Sequence, residues 1–489
     1  MASVASTKSA FKPSLAKRLL FPAAPANDLP PLFTSPSTPP ELTAELYDFI
    51  ALALRAFVNP WWTKISRYDK DFLPDITRIL THVIRALEAR VLAADLAPLV
   101  FRDGPAIITQ HYRDYRNAAA KLSTSYAAGG ALPLPVLFHS LQPHMAVSAD
   151  GQIDPEYMRQ LVDHILKSCL PQEDYAPEPE RFVIREIVLK ILLKDVIPKI
   201  TQPWFIQKTI LDLLGQDDDV VITKPRSSSP PTASPLAFHT LIVVFLSAIQ
   251  ALSGACLAMI NGYKQAVGTI KRVNQTPSRP PPARRSSSPH PRSPTSVPIP
   301  MSPSISATSS ISSWAASTEP SASTVPPPPD TTPNDYALPP LALVSEIFTT
   351  PARMASASIT HTLSLFLVAF APFLDRLLPY LLAQALSPKL LLTTTRNAKR
   401  TLFPNGYPAP PPVDPTLEEQ AQMRARLLAY RGKSPWVETH ILPLALGPDP
   451  SETIAAALDP LTNRECNVHL VMLLLDCILG TLFPELLAE

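Results

Sequence analysis

Apolar residues recur along this chain at three- and four-residue steps. No stretch shows the two-residue alternation that marks a half-buried strand. Leu46, Ile50, Ala53, Leu54 and Phe57 form one such face from Glu41 onward, and Phe72, Ile76, Ile79, Leu80, Val83, Leu87 and Val91 form the next, with Asp75, Arg78 and Arg85 on the opposite side. The rhythm continues from Asp95 to Tyr126, stops at "AAGGALPLP", and resumes over about 155–169. "QEDYAPEPE" reads as a turn whose acids suit the start of the next helix, "RFVIREIVLKILLKDVIPKI". "TQPWFIQKTILDLLG" closes this first block on a glycine stop, Gly215. Helical pattern returns over 341–386 and in a last block, 388–489. The expected fold is all-α.

Composition changes this picture in the middle and at the start. The chain of 489 residues has 59 prolines against 12 glycines, and only 17% of its residues are charged, which argues against one continuous globule. Residues 1–40 are expected to be a disordered tail, and 276–340 a disordered Pro/Ser-rich linker that buries too little apolar surface to offset chain entropy. A shorter linker, 217–235, precedes the apolar segment 236–275. The net charge of +2 gives no reason to expect nucleic acid. Between Asp219 and Glu319, however, there is no acid, while Lys224, Arg226, Lys264, Lys271, Arg272, Arg279, Arg284, Arg285 and Arg292 fall there, a pattern suited to an anionic membrane surface or to a phosphorylated linker. Cys169, Cys256, Cys466 and Cys477 have no zinc spacing and read as buried free thiols in a reducing compartment.

Two sets of motifs resemble known domains. Trp61-Trp62, Ile65-Ser66 and Phe72, then "IITQHYRDYRNAA" with His111, Tyr115 and Arg116, Arg185-Glu186 and "TQPWFI" resemble the PX-associated (PXA) domain of a class of sorting nexins and related fungal proteins. That domain is assigned here to residues 41–216. "TTRNAKRTLFPNGYP", with Arg400, Leu402, Phe403, Pro404 and Gly406, and "NVHLVMLLLDCILGTLFPELL", with Phe483 and Pro484, resemble the sorting-nexin C-terminal domain, assigned to 388–489. No PX-type basic and aromatic signature lies between them, so phosphoinositide headgroup recognition is not carried over. The resemblance implies an all-helical body in which the two terminal blocks pack together, and a lipid-binding or tethering protein on the cytoplasmic face of the endosome, vacuole or endoplasmic reticulum. Its partners would be an acyl-chain lipid, the endomembrane surface and trafficking proteins.

The candidate sites divide between structure and lipid. Trp61 and Trp62, following Asn59-Pro60, read as a plug that fixes a helix entry or as a ligand platform. His111, Tyr115, Arg116 and Asp114, like Arg185-Glu186, read as a headgroup site or as ion pairs that fix helix register. His469 reads as a satisfied core histidine. Residues 236–260 carry no charge and are long enough to cross a bilayer, but His239, Gln250 and several serines favour a buried or tunnel-lining helix. Leu241, Val244, Phe245, Ala248 and Leu252 are expected to line an elongated apolar cavity together with Leu363, Phe366, Leu367 and Phe370 from segment 341–387. No phosphate loop, nucleophile elbow, H-E-x-x-H or paired-carboxylate arrangement is present, so a non-enzymatic protein without cofactor or metal is expected. A protein-interaction adaptor lacking a lipid cavity is the alternative.

Overall fold

Proline starts the helices of this chain as often as it separates them. The computed structural model describes residues 14–22, 29–215 and 335–487, apart from 37, 67, 70, 411–412 and 433–441; between the blocks it describes only Gly268 and Lys271. Helix α1 (Leu15–Leu20) is followed by α2 (Pro40–Ala53), α3 (Asn59–Ile65) and α4 (Phe72–Ala93). Then come α5 (Gly104–Lys121), α6 (Leu134–Leu141), α7 (Pro155–Cys169), α8 (Glu178–Lys190) and α9 (Pro203–Leu214). The later block contains α10 (Leu338–Ile347), α11 (Met354–Ala369), α12 (Ala371–Ala385) and α13 (Pro388–Leu402). It ends with α14 (Leu417–Ala429), α15 (Pro450–Leu458) and α16 (Arg464–Leu482), with short one-turn helices between several of these. Among the described residues there is no strand, as the missing alternation requires.

Pro40, Pro155, Pro203, Pro388 and Pro450 each occupy a first helical turn, where the missing N–H has no intrahelical partner to lose. Side-chain caps define other starts. Asp154 accepts from the Glu156 amide, Asp449 from Ser451 and Glu452, and Asn463 from Cys466; Thr416 and Glu419 form a reciprocal capping box. Gly215 ends α9 in the left-handed conformation, φ 62°. The helical stretch read as continuous from Asp95 is interrupted. Asp95 caps a new short turn, and residues Leu99–Asp103 form a π-turn before α5 starts at Gly104, whose Cα hydrogen faces the Leu99 carbonyl closely enough to exclude a side chain.

Residues 14–215 and 335–487 belong to one compact unit. Its cores are shared between the blocks. Ala146, Val147, Met158, Val162, Leu189 and Ile197 pack with Val468 and Met472; Ala118, Leu137 and Phe138 pack with Cys466; Leu211 packs with Leu427 and Leu458. Neither block could be removed without opening a core of the other.

The N-terminal tail is a correction. Ala16, Leu20 and Leu32 are buried against Tyr47, Ala51 and Leu54, and the edge of Phe21 meets the Tyr47 ring at 4.9 Å. Prolines there interrupt helix propagation but leave enough apolar side chains to cover α2 and α4. The linker expected over 276–340 ends earlier, since Tyr336 is buried and α10 starts at Leu338; residues 276–334 lie outside the described residues.

Candidate functional site

Two surfaces carry the sequence motifs: a polar seam where the blocks meet, and an exposed apolar helix. On the seam, α5 faces the last block along its length. His111 is fully buried and donates from Nε2 to the Pro460 carbonyl at 3.2 Å; Tyr112 donates to Ala457 at 2.9 Å. Tyr115 meets the Thr462 hydroxyl at 3.5 Å, and Arg116 clasps Glu346 of α10 at 2.7 Å and the Ile347 carbonyl at 3.0 Å. His111, Tyr115 and Arg116, weighed as a headgroup site, are therefore occupied in joining helices, whereas the buried Asp114 accepts only from Gln110 one turn earlier, at 2.8 Å. Arg185 and Glu186 pair at 3.4 Å within a wider network in which Arg185 is half-buried and Glu186 exposed. Glu186 takes Arg159 of α7 at 3.1 Å, and Arg185 approaches Asp163 at 3.8 Å.

The terminal motifs dock on the first block, each through an arginine. Phe403 is buried edge-on to Phe49 at 5.8 Å, and Arg55 donates to the Gly406 carbonyl while lying 5.3 Å from the Tyr407 ring. Gly406 adopts φ 74°, which a side chain would strain. Phe483 is buried beneath the Arg90 guanidinium, 4.4 Å from its ring centre, and Arg90 also binds the Leu482 carbonyl at 3.1 Å and Glu485 at 2.7 Å. That charge holds the Glu485 carboxyl below its usual range. Pro404 and Pro484 follow these two aromatics on the exposed side and end the preceding helices' reach. Residues 39–213 match the PXA domain family.

The PXA block has a curated relative, PXA domain protein 1 of Schizosaccharomyces pombe, 28% identical over 173 residues. That match covers 35% of this chain and 34% of the relative, so it spans about a third of the relative's length. No solved structure matches the chain.

Within the PXA block, Trp62 stacks on Phe72 at 3.6 Å and 12°, and Trp61 meets Trp62 edge-on at 5.7 Å. The pair thus bridges α3 to the start of α4, with Trp61 half exposed. A histidine group that spacing did not reveal lies across the seam. Phe138 separates His111 and His469, at 5.3 and 5.5 Å, and His139 lies 5.2 Å from His469. Burial lowers His111 to about 4; burial and then the neighbouring histidines lower His469 to about 4. His144 binds Asp476 at 2.8 Å, and Tyr157 donates to the same carboxylate at 2.9 Å. Among the described residues no group of three metal-ligating side chains converges. Cys169 and Cys466 are buried free thiols, Cys466 pushed up to about 12 by burial; Cys477 is half-buried and Cys256 lies outside the described residues.

The apolar surface is α11. Its C-terminal half has long hydrophobic side chains on all sides, yet only Ser356 of the helix is buried. Leu363, Phe366 and Phe370 are 44%, 59% and 56% exposed, and Leu367 is half-buried. Ser358, Ile359, Thr362, Leu363 and Phe366 line an open groove of ≈ 370 Å³. A larger cleft of ≈ 820 Å³ has a mixed lining, in which Leu29, Phe33 and several prolines alternate with Thr34, Ser35, Thr43 and Arg85. The predicted lining residues from the last block therefore share one face, which is open. Leu241, Val244, Phe245, Ala248 and Leu252 lie outside the described residues.

Proposed function

We propose that this chain is a non-enzymatic lipid-binding protein of endomembrane trafficking, taking acyl chains on α11 and carrying or tethering them between membranes. The terminal block is read as a sorting-nexin C-terminal domain that has joined the PXA block into one body, with no PX module. The cytoplasmic face of the endosome, vacuole or endoplasmic reticulum is its place of action. The observation that carries the reading is α11 itself. An exposed helix normally turns polar residues outward, yet the last two turns of α11 expose Leu363, Leu365, Phe366 and Val368, a surface suited to an apolar environment. Each acyl methylene sheltered there would contribute roughly 0.8 kcal/mol.

The test is lipid analysis of the full chain purified without detergent. Bound phospholipid or another acyl-chain lipid is expected, lost in Leu363→Asp/Phe366→Asp. Absence of lipid in the purified chain, with no extraction from vesicles, would remove this reading. The adaptor alternative draws on a different feature, the exposed stripe Val183, Ile187 and Ile191 at four-residue steps along α8. Loss of a protein partner in Ile187→Glu, without any lipid, would favour it.

A further inference from the structure

Met354 to Leu374 contains no charged residue, and its one titratable side chain is His361. Four of its five hydroxyls are satisfied within the helix. Ser358 donates to the Met354 carbonyl, Thr360 to Ser356 and Thr362 to Ser358, each at 2.8 Å, and Ser364 to His361 at 2.7 Å. Such back-bonding lets a polar side chain leave water without losing its partner. The helix is fastened at one end only. Arg353 donates to the Phe348 carbonyl at 2.7 Å and to Thr453 at 3.2 Å, while Ser356 donates to Leu444 and Ala445 at 3.0 and 2.9 Å. Beyond this clamp Leu365, Phe366, Val368 and Phe370 are all more than half exposed.

At Phe370 the chain turns by 88° into α12, and the two helices together are apolar enough to enter a membrane. Pro372 opens the second helix and fits this corner. Arms of 16 and 15 residues reach ~24 and ~22 Å, each short of a ~30 Å hydrocarbon core. The bent pair is therefore built to enter and return on one side rather than to cross. Charge agrees. Between Met354 and Val413 the one acid is Asp375 against Arg376, Lys389, Arg396, Lys399 and Arg400; Arg396 and Lys399 pair with Glu41 and Glu45 of α2, which leaves Arg376, Lys389 and Arg400 to face headgroups. Asp375 is engaged by the Tyr336 amide at 3.0 Å. Lys389 and Arg400 are exposed on α13, with Leu390 and Leu391 half exposed beside Lys389. Apolar side chains beside cations match the headgroup boundary of an anionic bilayer.

We infer that α11 and α12 form a re-entrant wedge that inserts its Phe366–Phe370 corner into one leaflet of an anionic bilayer, with α13 on the headgroups. This rests on the lipid reading above but concerns the bilayer, not a carried molecule.

The full chain is tested with phosphatidylcholine vesicles containing 30% phosphatidylserine. Flotation of Leu363→Asp/Phe366→Asp is expected to fall at least about tenfold, since two large side chains lose their apolar contact. A charge on the outward face leaves the melting temperature unchanged. A photoreactive benzoylphenylalanine in place of Phe366 is expected to crosslink to lipid only when vesicles are present. Unchanged flotation, or crosslinks to residues 236–260 or to a second copy of the chain in place of lipid, would overturn the wedge. A lipid adduct at position 366 from a chain that neither co-purifies with nor extracts lipid would uphold the wedge and remove the carrier reading.

Discussion

Asn467→Ala is expected to destabilise the whole chain, because Asn467 bolts three segments together. Its side chain is fully buried, and Nδ2 donates to the Thr201 and Leu461 carbonyls, each at 3.0 Å. Thr201 ends the PXA block's penultimate turn and is also fully buried, so water does not replace the donor. Each net bond is worth about 1 kcal/mol, and orphaning the buried Thr201 carbonyl costs about 1–3 kcal/mol more, whereas the part-buried Leu461 carbonyl can turn to water. Overlap between those terms and partial relaxation bring the expected loss to about 2–4 kcal/mol. Asn467→Asp keeps the shape but sets oxygens against both carbonyls and is expected to cost at least as much. Urea unfolding followed by tryptophan fluorescence and by far-ultraviolet dichroism would measure both. A loss under about 0.5 kcal/mol, or two transitions of which only the later block's shifts, would refute the shared-core argument.

Acid is expected to loosen the same seam. His111 and His469 titrate at about 4 in the fold against 6.5 when unfolded, so between those values the unfolded chain binds more protons. Stability is thus full above pH 6.5 and falls as pH drops toward 4, by up to about 3 kcal/mol for each histidine; His469→Gln should flatten the pH profile of the melting temperature. Gly151→Ala is expected to cost about 2 kcal/mol or more by urea titration, since φ is 72° and a Cβ there would lie 2.9 Å from Glu465 Cα across the seam. Arg90→Ala should cost about 1–3 kcal/mol, by loss of the Phe483 face, a carbonyl bond and the Glu485 pair, whereas Arg159→Ala, in an exposed network, should cost under about 1 kcal/mol in the same titration.

The helices were legible because their signals are local. Apolar steps, with Gly215 after the last run, suffice to place α4, α7 and α9. Pairing across the seam was not legible. Nothing in the spacing of His111, Phe138, His139 and His469 says that chain segments more than 300 residues apart bring them together. The π-turns at Leu54–Val58, Leu99–Asp103 and Ile191–Val196 also escaped, since each adds a residue to a turn without breaking the apolar pattern. Prolines misled in one place and informed in others. Before Leu32 they were read as a sign of a tail, where apolar side chains still pack on Tyr47. The apolarity of Leu363, Phe366, Leu367 and Phe370 was visible, but their open setting was not, because composition cannot tell a cavity wall from a face turned outward.

The account's central claim is that one jointly folded helical body offers an apolar helix to lipid. Transfer of a fluorescent phospholipid from donor to acceptor vesicles by the full chain tests it most directly. Transfer above the protein-free rate, abolished by Leu363→Asp/Phe366→Asp with the fold intact, is the predicted result. Transfer no faster than the protein-free rate, or equally fast with both aspartates in place, would contradict it.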